Sequence, residues 1–291
     1  MSEQTKQETL EAYQDILART DHRTLTGQKQ QDRNIALARI HAARDPGTAI
    51  WIVVDQENPL RSIHRIKIGP HTLYLGDAYT IRPQLGWFDA DVTDPPYAFN
   101  NLGGGKFRKE RGASNRMIDE GLTEGFDHAI INPLLCGAVF VFCHNNQIVS
   151  LMSYLQGSFY RVVQCNWHKI APSPMANKNY LADTETYFHA WQRGCEVVGN
   201  YAEKKRYVIC AREHDARKRF DHDTVKPAGV MDKIMANVNG HTVCDPFMGT
   251  GSTGVAAIKA GKIFTGIEHN PKHFETAVRR VTAAFNEGNN T

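Results

Sequence analysis

The sequence predicts an α/β protein with a doubly wound, mostly parallel sheet and a helical N-terminal extension ahead of it. Short apolar runs alternate with amphipathic segments along most of the chain, which is typical of strands joined by helices. Residues 138–143 form one continuous apolar run, as expected for a strand buried on both faces. The last third contains a strand, a glycine-rich turn, a helix and another strand. We assign residues 1–48 to the extension and residues 49–291 to the α/β domain.

Local patterns predict the individual elements. In the extension, Leu10, Tyr13 and Leu17 share one face of a helix, and a Pro-Gly break at residues 45–47 ends the pattern. Strands are predicted where β-branched and aromatic residues cluster: 50–54, 66–68, 73–75, 87–92, 138–143, 159–166, 186–191, 207–211, 243–245 and 263–268. Helices are predicted at 115–131, 147–155, 230–236, 252–260 and from Pro271 onward.

The composition excludes several classes of protein. With 34 Lys+Arg and 31 Asp+Glu among 291 residues, the formal net charge is +3, which does not indicate any particular class of binding partner. A hydrophobic content of 41% is typical of globular proteins and excludes a disordered chain. The six cysteines form no Cys-x-x-Cys pair, so we expect no metal site and no disulfide framework. No apolar run approaches membrane-spanning length. We therefore expect a cytoplasmic protein with reduced thiols and no membrane partner.

A glycine-rich turn near the C-terminus is the first candidate ligand site. It begins at Asp245 and Phe247, contains Gly249 and Gly251, and joins a strand to a helix. Glycines let a ligand approach the backbone, and the helix N-terminus favours a negative group. Glu268 ends the next strand, where its carboxylate can accept hydrogen bonds from ribose hydroxyls. The pattern suits any nucleoside cofactor, and it also matches the dinucleotide fingerprint.

The position of this turn separates the possible cofactors. Only 23 residues follow Glu268, which is room for one helix, whereas a dinucleotide-binding domain needs several more strands. The rest of the sheet must come from the N-terminal side, so the cofactor half lies at the C-terminus in permuted order. This order favours a methyltransferase sheet over that of a nicotinamide oxidoreductase.

The tetrapeptide Asp94-Pro95-Pro96-Tyr97 follows a predicted strand and is the candidate catalytic motif. An exocyclic amino group on a base is a poor nucleophile because its lone pair is delocalised into the ring. Acceptors at Asp94 and at the Pro95 carbonyl can hold the nitrogen closer to sp³ geometry, and two prolines keep these acceptors aimed. Tyr97 offers a flat face for an extruded base. After transfer, Asp94 or water takes the proton.

The two motifs together resemble the β-group of S-adenosylmethionine-dependent DNA amino-methyltransferases. Residues 75–78 resemble the family's strand end that contacts the cofactor adenine, and residues 223–227 resemble the segment that holds its methionine end. Trp167-His168-Lys169 and Glu185 are similar to the middle motifs. Asp223 stands where the family usually has Pro, and residues 1–70 have no counterpart.

The resemblance implies a Rossmann-like methyltransferase fold, S-adenosylmethionine as cofactor and double-stranded DNA as partner. It implies site-specific methylation of a flipped-out base, and Asp rather than Ser at position 94 favours the N6 of adenine. By analogy it also admits a homodimer, association with the nucleoid of a bacterial or phage-infected cell, and a role in restriction-modification. The implied cofactor-binding residues are Asp77, Thr224, Lys226, Asp245, Phe247, Gly249, Gly251 and Glu268.

Two basic clusters are candidate DNA contacts. A loop at residues 98–118 follows the catalytic tetrapeptide, and residues 192–220 occupy the place of a short target-recognition region. Phosphate contacts from such clusters supply affinity but little sequence information. The predicted contacts are Lys106, Arg108, Lys109, Arg111, Arg217, Lys218 and Arg219.

Other functions stay open at this stage. The methyl acceptor could be the N4 of cytosine or an RNA base. The chain could instead be a catalytically idle DNA-binding protein with the same fold, although the intact motifs disfavour this reading.

Overall fold

The computed structural model describes residues 64–97, 125–172, 180–213 and 225–289. Within these residues nine strands form one sheet: β1 (His64–Ile68), β2 (His71–Leu75), β3 (Phe88–Thr93), β4 (Cys136–Cys143), β5 (Arg161–Ile170), β6 (Thr184–Trp191), β7 (Tyr207–Ala211), β8 (Thr242–Asp245) and β9 (Ile263–Glu268). Their spatial order is β1-β2-β9-β8-β3-β4-β6-β5-β7. Five neighbouring pairs are parallel, and β1–β2, β4–β6 and β5–β6 are antiparallel. The mostly parallel sheet is confirmed.

Helices cover both faces of this sheet in the described residues. They are α1 (Ala78–Ile81), α2 (Ile148–Ser158), α3 (Ala228–Asn237), α4 (Ser252–Lys259) and α5 (Pro271–Asn289). One hydrophobic cluster joins α3, α4 and α5 to one face, and another joins α1 and α2 to the opposite face. Because β4 is covered on both sides, all eight of its residues are buried. This arrangement is the predicted doubly wound fold.

The C-terminal strands enter the middle of the sheet. β8 and β9 lie between β2 and β3, so that β3 pairs with β8 in parallel. The Asp89 carboxylate supports this pairing, because it accepts hydrogen bonds from the His241 and Thr242 amides at 2.7 and 2.8 Å. The ends of β3 and β8 therefore lie side by side, although about 150 residues of chain separate them. This is the predicted permuted order.

The predicted helix at 115–131 is wrong over its described end. Residues 128–130 form only a short 3₁₀ turn, which begins after Asp127. The Asp127 carboxylate accepts from the Ala129 amide, a local bond that competes with helical pairing. Gly125 has a φ of +79°, which also lies outside the helical range. The extension at 1–48, the strand at 50–54 and the basic loop at 98–118 lie outside the described residues.

Candidate active site

A cleft opens at the carboxyl ends of β3, β8 and β9, with about 1100 Å³ of open space when the solvent at its mouth is included. Ligands of open α/β sheets bind at this edge. The cleft brings together residues of the tetrapeptide, of the glycine-rich turn and of the segment before α3. Among the predicted site residues, those that line it are Asp94, Pro95, Pro96, Tyr97, Lys226, Asp245, Phe247, Gly249 and Glu268.

Hydrogen bonds hold the tetrapeptide in place directly after β3. The Tyr97 hydroxyl donates to Asp94 Oδ1 at 2.7 Å. The buried Gln147 side chain donates to the Pro96 carbonyl at 3.4 Å and accepts from the His144 amide at 3.1 Å. The tetrapeptide is therefore supported by the segment that leads into α2, and this contact was not predicted from the sequence.

Lys226 lies against the tetrapeptide. Its ammonium forms an ion pair with Asp94 Oδ2 and donates to the Tyr97 hydroxyl at 3.3 Å. The same nitrogen is 3.3 Å from Glu185 Oε2, and Glu185 Oε1 is 2.8 Å from Lys169 Nζ. Two lysines and two carboxylates thus form one alternating chain of charge that ends at Asp94.

The charges of these four side chains shift the pKa values of one another. Burial lowers the pKa of Lys226, but Asp94 and Glu185 outweigh it and hold that pKa above its ordinary value. Burial raises the pKa of Glu185, but Lys226 and Lys169 bring it below its ordinary value. The pKa of Asp94 is raised by burial, which Lys226 opposes. Burial and the neighbouring Asp94 raise the pKa of Tyr97 well above its ordinary range, so the phenol stays a donor.

The glycine-rich turn leads from β8 into α4. Gly249 and Gly251 have φ values of +52° and +82°, in the left-handed region that favours glycine. The Gly249 amide donates to Glu268 Oε2 at 2.9 Å, and the Asn270 amide donates to Oε1 at 2.7 Å. These bonds hold the Glu268 carboxylate beside the turn, at the edge of the cleft.

The Asp245 carboxylate, at the end of β8, holds the start of the glycine-rich turn in place. Its Oδ1 accepts from the Phe247 amide at 3.0 Å, and its Oδ2 accepts from the Thr253 hydroxyl at 2.5 Å. Burial raises the pKa of Asp245 to about 7, against an ordinary value of 3.8. Phe247 packs edge-on against Tyr79 and Phe126, with ring centres 6.0 and 6.5 Å apart.

A comparison with protein families identifies the fold. The N6/N4 methyltransferase family model, described as DNA methylase, matches residues 88–279. The chain belongs to this DNA methylase family. The match contains the tetrapeptide, β6, the segment before α3 and the glycine-rich turn, so the whole cleft described above lies within it.

Three curated methyltransferases resemble this chain. The type II methyltransferase M2.DpnII of Streptococcus pneumoniae is 24% identical over 167 residues, which are 50% of this chain and 61% of the relative. The DNA adenine methyltransferase YhdJ of Escherichia coli K12 is 39% identical over 91 residues, 31% of this chain and 29% of the relative. The match thus spans less than two thirds of both relatives. M2.LlaDCHI of Lactococcus lactis subsp. cremoris is 22% identical over 240 residues, 72% of this chain and 86% of the relative.

Solved methyltransferase structures share the fold. The M1.HpyAVI–SAM complex aligns with a TM-score of 0.52 and 27% identity, over 72% of this chain and 98% of that one. The cytosine-N4-specific PvuII methyltransferase aligns with a TM-score of 0.52 and 12% identity, over 76% and 93%. The predicted Rossmann-like methyltransferase fold is confirmed.

Some of the predicted site residues lie outside the cleft. Within the described residues, Asp77 does not line it: its carboxylate caps α1 by accepting from the Thr80 amide at 3.0 Å. Gly251 supports the turn from behind, where an added Cβ would lie 3.1 Å from Ala277. Thr224 and the predicted DNA contacts Lys106, Arg108, Lys109, Arg111, Arg217, Lys218 and Arg219 lie outside the described residues.

Three residues in or beside the cleft had no role assigned from the sequence. Glu185 and Lys169 carried only their similarity to the family's middle motifs, and nothing in the sequence linked them to Asp94. His273, which lies one turn into α5, is buried and lines the cleft. Across the described ranges no helix is long and apolar enough to cross a bilayer, and no cluster of three or more His, Cys, Asp or Glu residues could hold a metal ion.

Proposed function

We propose that this methylase transfers a methyl group from S-adenosylmethionine to the N6 of adenine in a base flipped out of double-stranded DNA. The shared cleft supports this function most directly, because Asp94 and Tyr97 line the same space as Gly249 and Glu268. A donor and an acceptor must meet at about 3–3.5 Å for transfer. A cleft that contains both motifs allows a bound cofactor and a bound base to approach each other in this way.

The donor half of the cleft suits S-adenosylmethionine. A Cβ added at Gly249 would meet no atom within 4 Å, so a ligand has room against the backbone. Glu268 would accept from the ribose hydroxyls, with Asp245 and Phe247 beside the turn. When bound, the cofactor supplies an electrophilic methyl group on a sulfonium. The solved relative M1.HpyAVI was crystallised with this cofactor. The roles of Asp77, Thr224 and Lys226 toward it stay predictions.

The acceptor half suits an exocyclic amino group. Asp94 would accept a hydrogen bond from this group, and Tyr97 would stack on the flipped base. The target nitrogen forms a bond to the methyl carbon as the carbon–sulfur bond breaks, and it then releases one proton to Asp94 or to water. The two prolines hold the acceptors so that little reorganisation is needed during transfer.

Adenine is the favoured base. Position 94 holds Asp rather than Ser, and the relative YhdJ is named a DNA adenine methyltransferase. The cytosine-N4 enzyme PvuII, at 12% identity, supports only the fold.

Duplex DNA would meet the basic clusters. Lys204, Lys205, Arg206 and Arg212 are exposed in the described part of the second cluster and are available to phosphates. The contacts predicted in the loop at 98–118 and at 217–219 remain predictions, as does a homodimer.

Transfer to DNA tests the proposal. Purified protein is incubated with tritiated S-adenosylmethionine and unmethylated genomic DNA, and the labelled nucleoside is identified by mass analysis. We expect N6-methyladenine from the wild type. We expect a loss of about 1000-fold or more in Asp94→Ala, with cofactor affinity by calorimetry changed by less than about threefold.

The matched control is Glu287→Gln, a change at an exposed carboxylate near the end of α5 and outside the cleft, which should keep wild-type activity. Substantial transfer by Asp94→Ala would contradict the catalytic assignment. Recovery of N4-methylcytosine would contradict the choice of base.

A further inference from the structure

Both oxygens of the Asp94 carboxylate have partners in the protein before any substrate binds. The Tyr97 hydroxyl donates to Oδ1 at 2.7 Å, and the Lys226 ammonium pairs with Oδ2. Under the proposed function, on which this inference rests, the target amino group needs one of these oxygens as its acceptor. A carboxylate oxygen can accept more than one hydrogen bond, but the partner already on that oxygen competes with the incoming amino group for space and charge.

Lys226 is the partner with a second acceptor within reach. Its Nζ lies 3.3 Å from Glu185 Oε2 and 4.6 Å from the centre of the Phe142 ring. Lys169 holds Glu185 from the other side, at 2.8 Å from Oε1. The ammonium therefore lies between two carboxylates that both line the cleft, and a small shift exchanges one for the other.

The charge of the reacting group favours this shift. The target nitrogen becomes positive as it gains the methyl group, and an ammonium on the same carboxylate would repel it. Transfer of the ammonium to Glu185 keeps Lys226 paired inside the cleft and leaves Asp94 to stabilise the nitrogen. An unpaired buried ammonium would be costly, so the shift needs an anion at the position of Glu185.

We propose that Lys226 stands in for the target amino group on Asp94 in the free enzyme, and that Glu185, held by Lys169, receives its ammonium when the base enters. Lys226 then favours the ionised form of Asp94 and holds its orientation until the substrate arrives. Glu185 is a positioning residue, because it acts on the reaction only through Lys226.

A double-mutant cycle tests this relay. Initial rates with tritiated S-adenosylmethionine and saturating unmethylated genomic DNA are measured for wild type, Glu185→Gln, Lys226→Met and the double variant. We expect Glu185→Gln to lower kcat about 10-fold or more, with the KM for S-adenosylmethionine changed by less than about twofold. In the Lys226→Met background the same change should alter kcat by less than about twofold, because Glu185 then has no Lys226 ammonium to bind.

Two further variants complete the design. Glu287→Gln, near the end of α5 and outside the cleft, is the matched surface control and should leave kcat unchanged. Lys169→Met removes the ion pair that holds Glu185 but leaves the Glu185 charge in place. It should lower kcat about threefold, because Glu185 is then less well placed to bind the Lys226 ammonium. This variant tests the relay if Glu185→Gln does not fold.

Three outcomes would overturn the relay, and one of them would also overturn the proposed function. An equal loss from Glu185→Gln in both backgrounds would show a purely structural role and overturn the relay, while the proposed function stands. A Lys226→Met variant that binds S-adenosylmethionine with wild-type affinity in calorimetry, but shows no detectable transfer, would also overturn it, because a displaced stand-in is not required for the chemistry. Absence of transfer by the wild type would overturn the proposed function and the relay together.

Discussion

Asp94 and Lys226 form a contact across 132 residues of sequence. The tetrapeptide identified Asp94 as the candidate catalytic residue, and the resemblance assigned Lys226 to the cofactor. Neither signal indicated that the two side chains pair, because the contact depends on how the segment before α3 crosses the end of β3. Glu185 escaped assignment for the same reason: its charge acquires a role only through the neighbours that the sheet supplies.

Asp245 makes stability depend on pH. Burial raises its pKa to about 7 in the folded state from an ordinary 3.8, so the folded protein keeps this proton when the unfolded chain has lost it. This contribution is fully present below about pH 4 and is lost as the pH rises toward 7, by up to about 1.4 kcal/mol per pH unit. Relative to Asp245→Asn, the free energy of unfolding of the wild type should therefore fall between pH 4 and pH 7.

Urea unfolding of both proteins at several pH values measures this difference. The control is Asp232→Asn, a change at an exposed carboxylate on α3 that should leave the slope of the wild type unchanged. Parallel stability profiles for wild type and Asp245→Asn would contradict the raised pKa of Asp245.

The elements near the site follow closely from the sequence. Pro, Gly and apolar spacing predicted β8, α4, β9 and the start of α5 to within about two residues. The short helix α1 was not predicted, because four residues are too few to show a period. The helix predicted at 115–131 failed at its described end, where a local carboxylate–amide bond replaces the helical one.

The glycine-rich turn gives a prediction with a built-in control. Gly249 and Gly261 have φ values of +52° and +69°, and a Cβ added to either meets no atom within 4 Å. Each change to Ala should therefore cost a similar amount of stability, about 1 kcal/mol. Gly249 lines the cleft, and Gly261 follows the far end of α4.

The affinity for S-adenosylmethionine should separate these two variants. Gly249→Ala is expected to raise the Kd in calorimetry about 10-fold or more, because the new methyl group takes ligand space, whereas Gly261→Ala should change it by less than about twofold. Equal affinities for the two variants would mean that the cofactor does not approach the turn at Gly249.

At the scale of the whole molecule, the permuted order of strands creates the site. The late strands β8 and β9 lie between β2 and β3, so two motifs from distant parts of the chain end at one edge of the sheet. This order was predicted from the late position of the glycine-rich turn in the sequence. The antiparallel direction of β6 was not, since apolar runs carry no information on strand direction, and β6 is the strand that brings Glu185 to the cleft.

A crystal structure of the protein with S-adenosylmethionine tests most directly whether one cleft serves both donor and acceptor. The account predicts the ribose at Glu268, the adenosine along the Gly249 turn and the sulfonium methyl group facing the space beside Asp94 and Tyr97. A cofactor bound outside this cleft, or with its methyl group directed away from Asp94, would contradict the account.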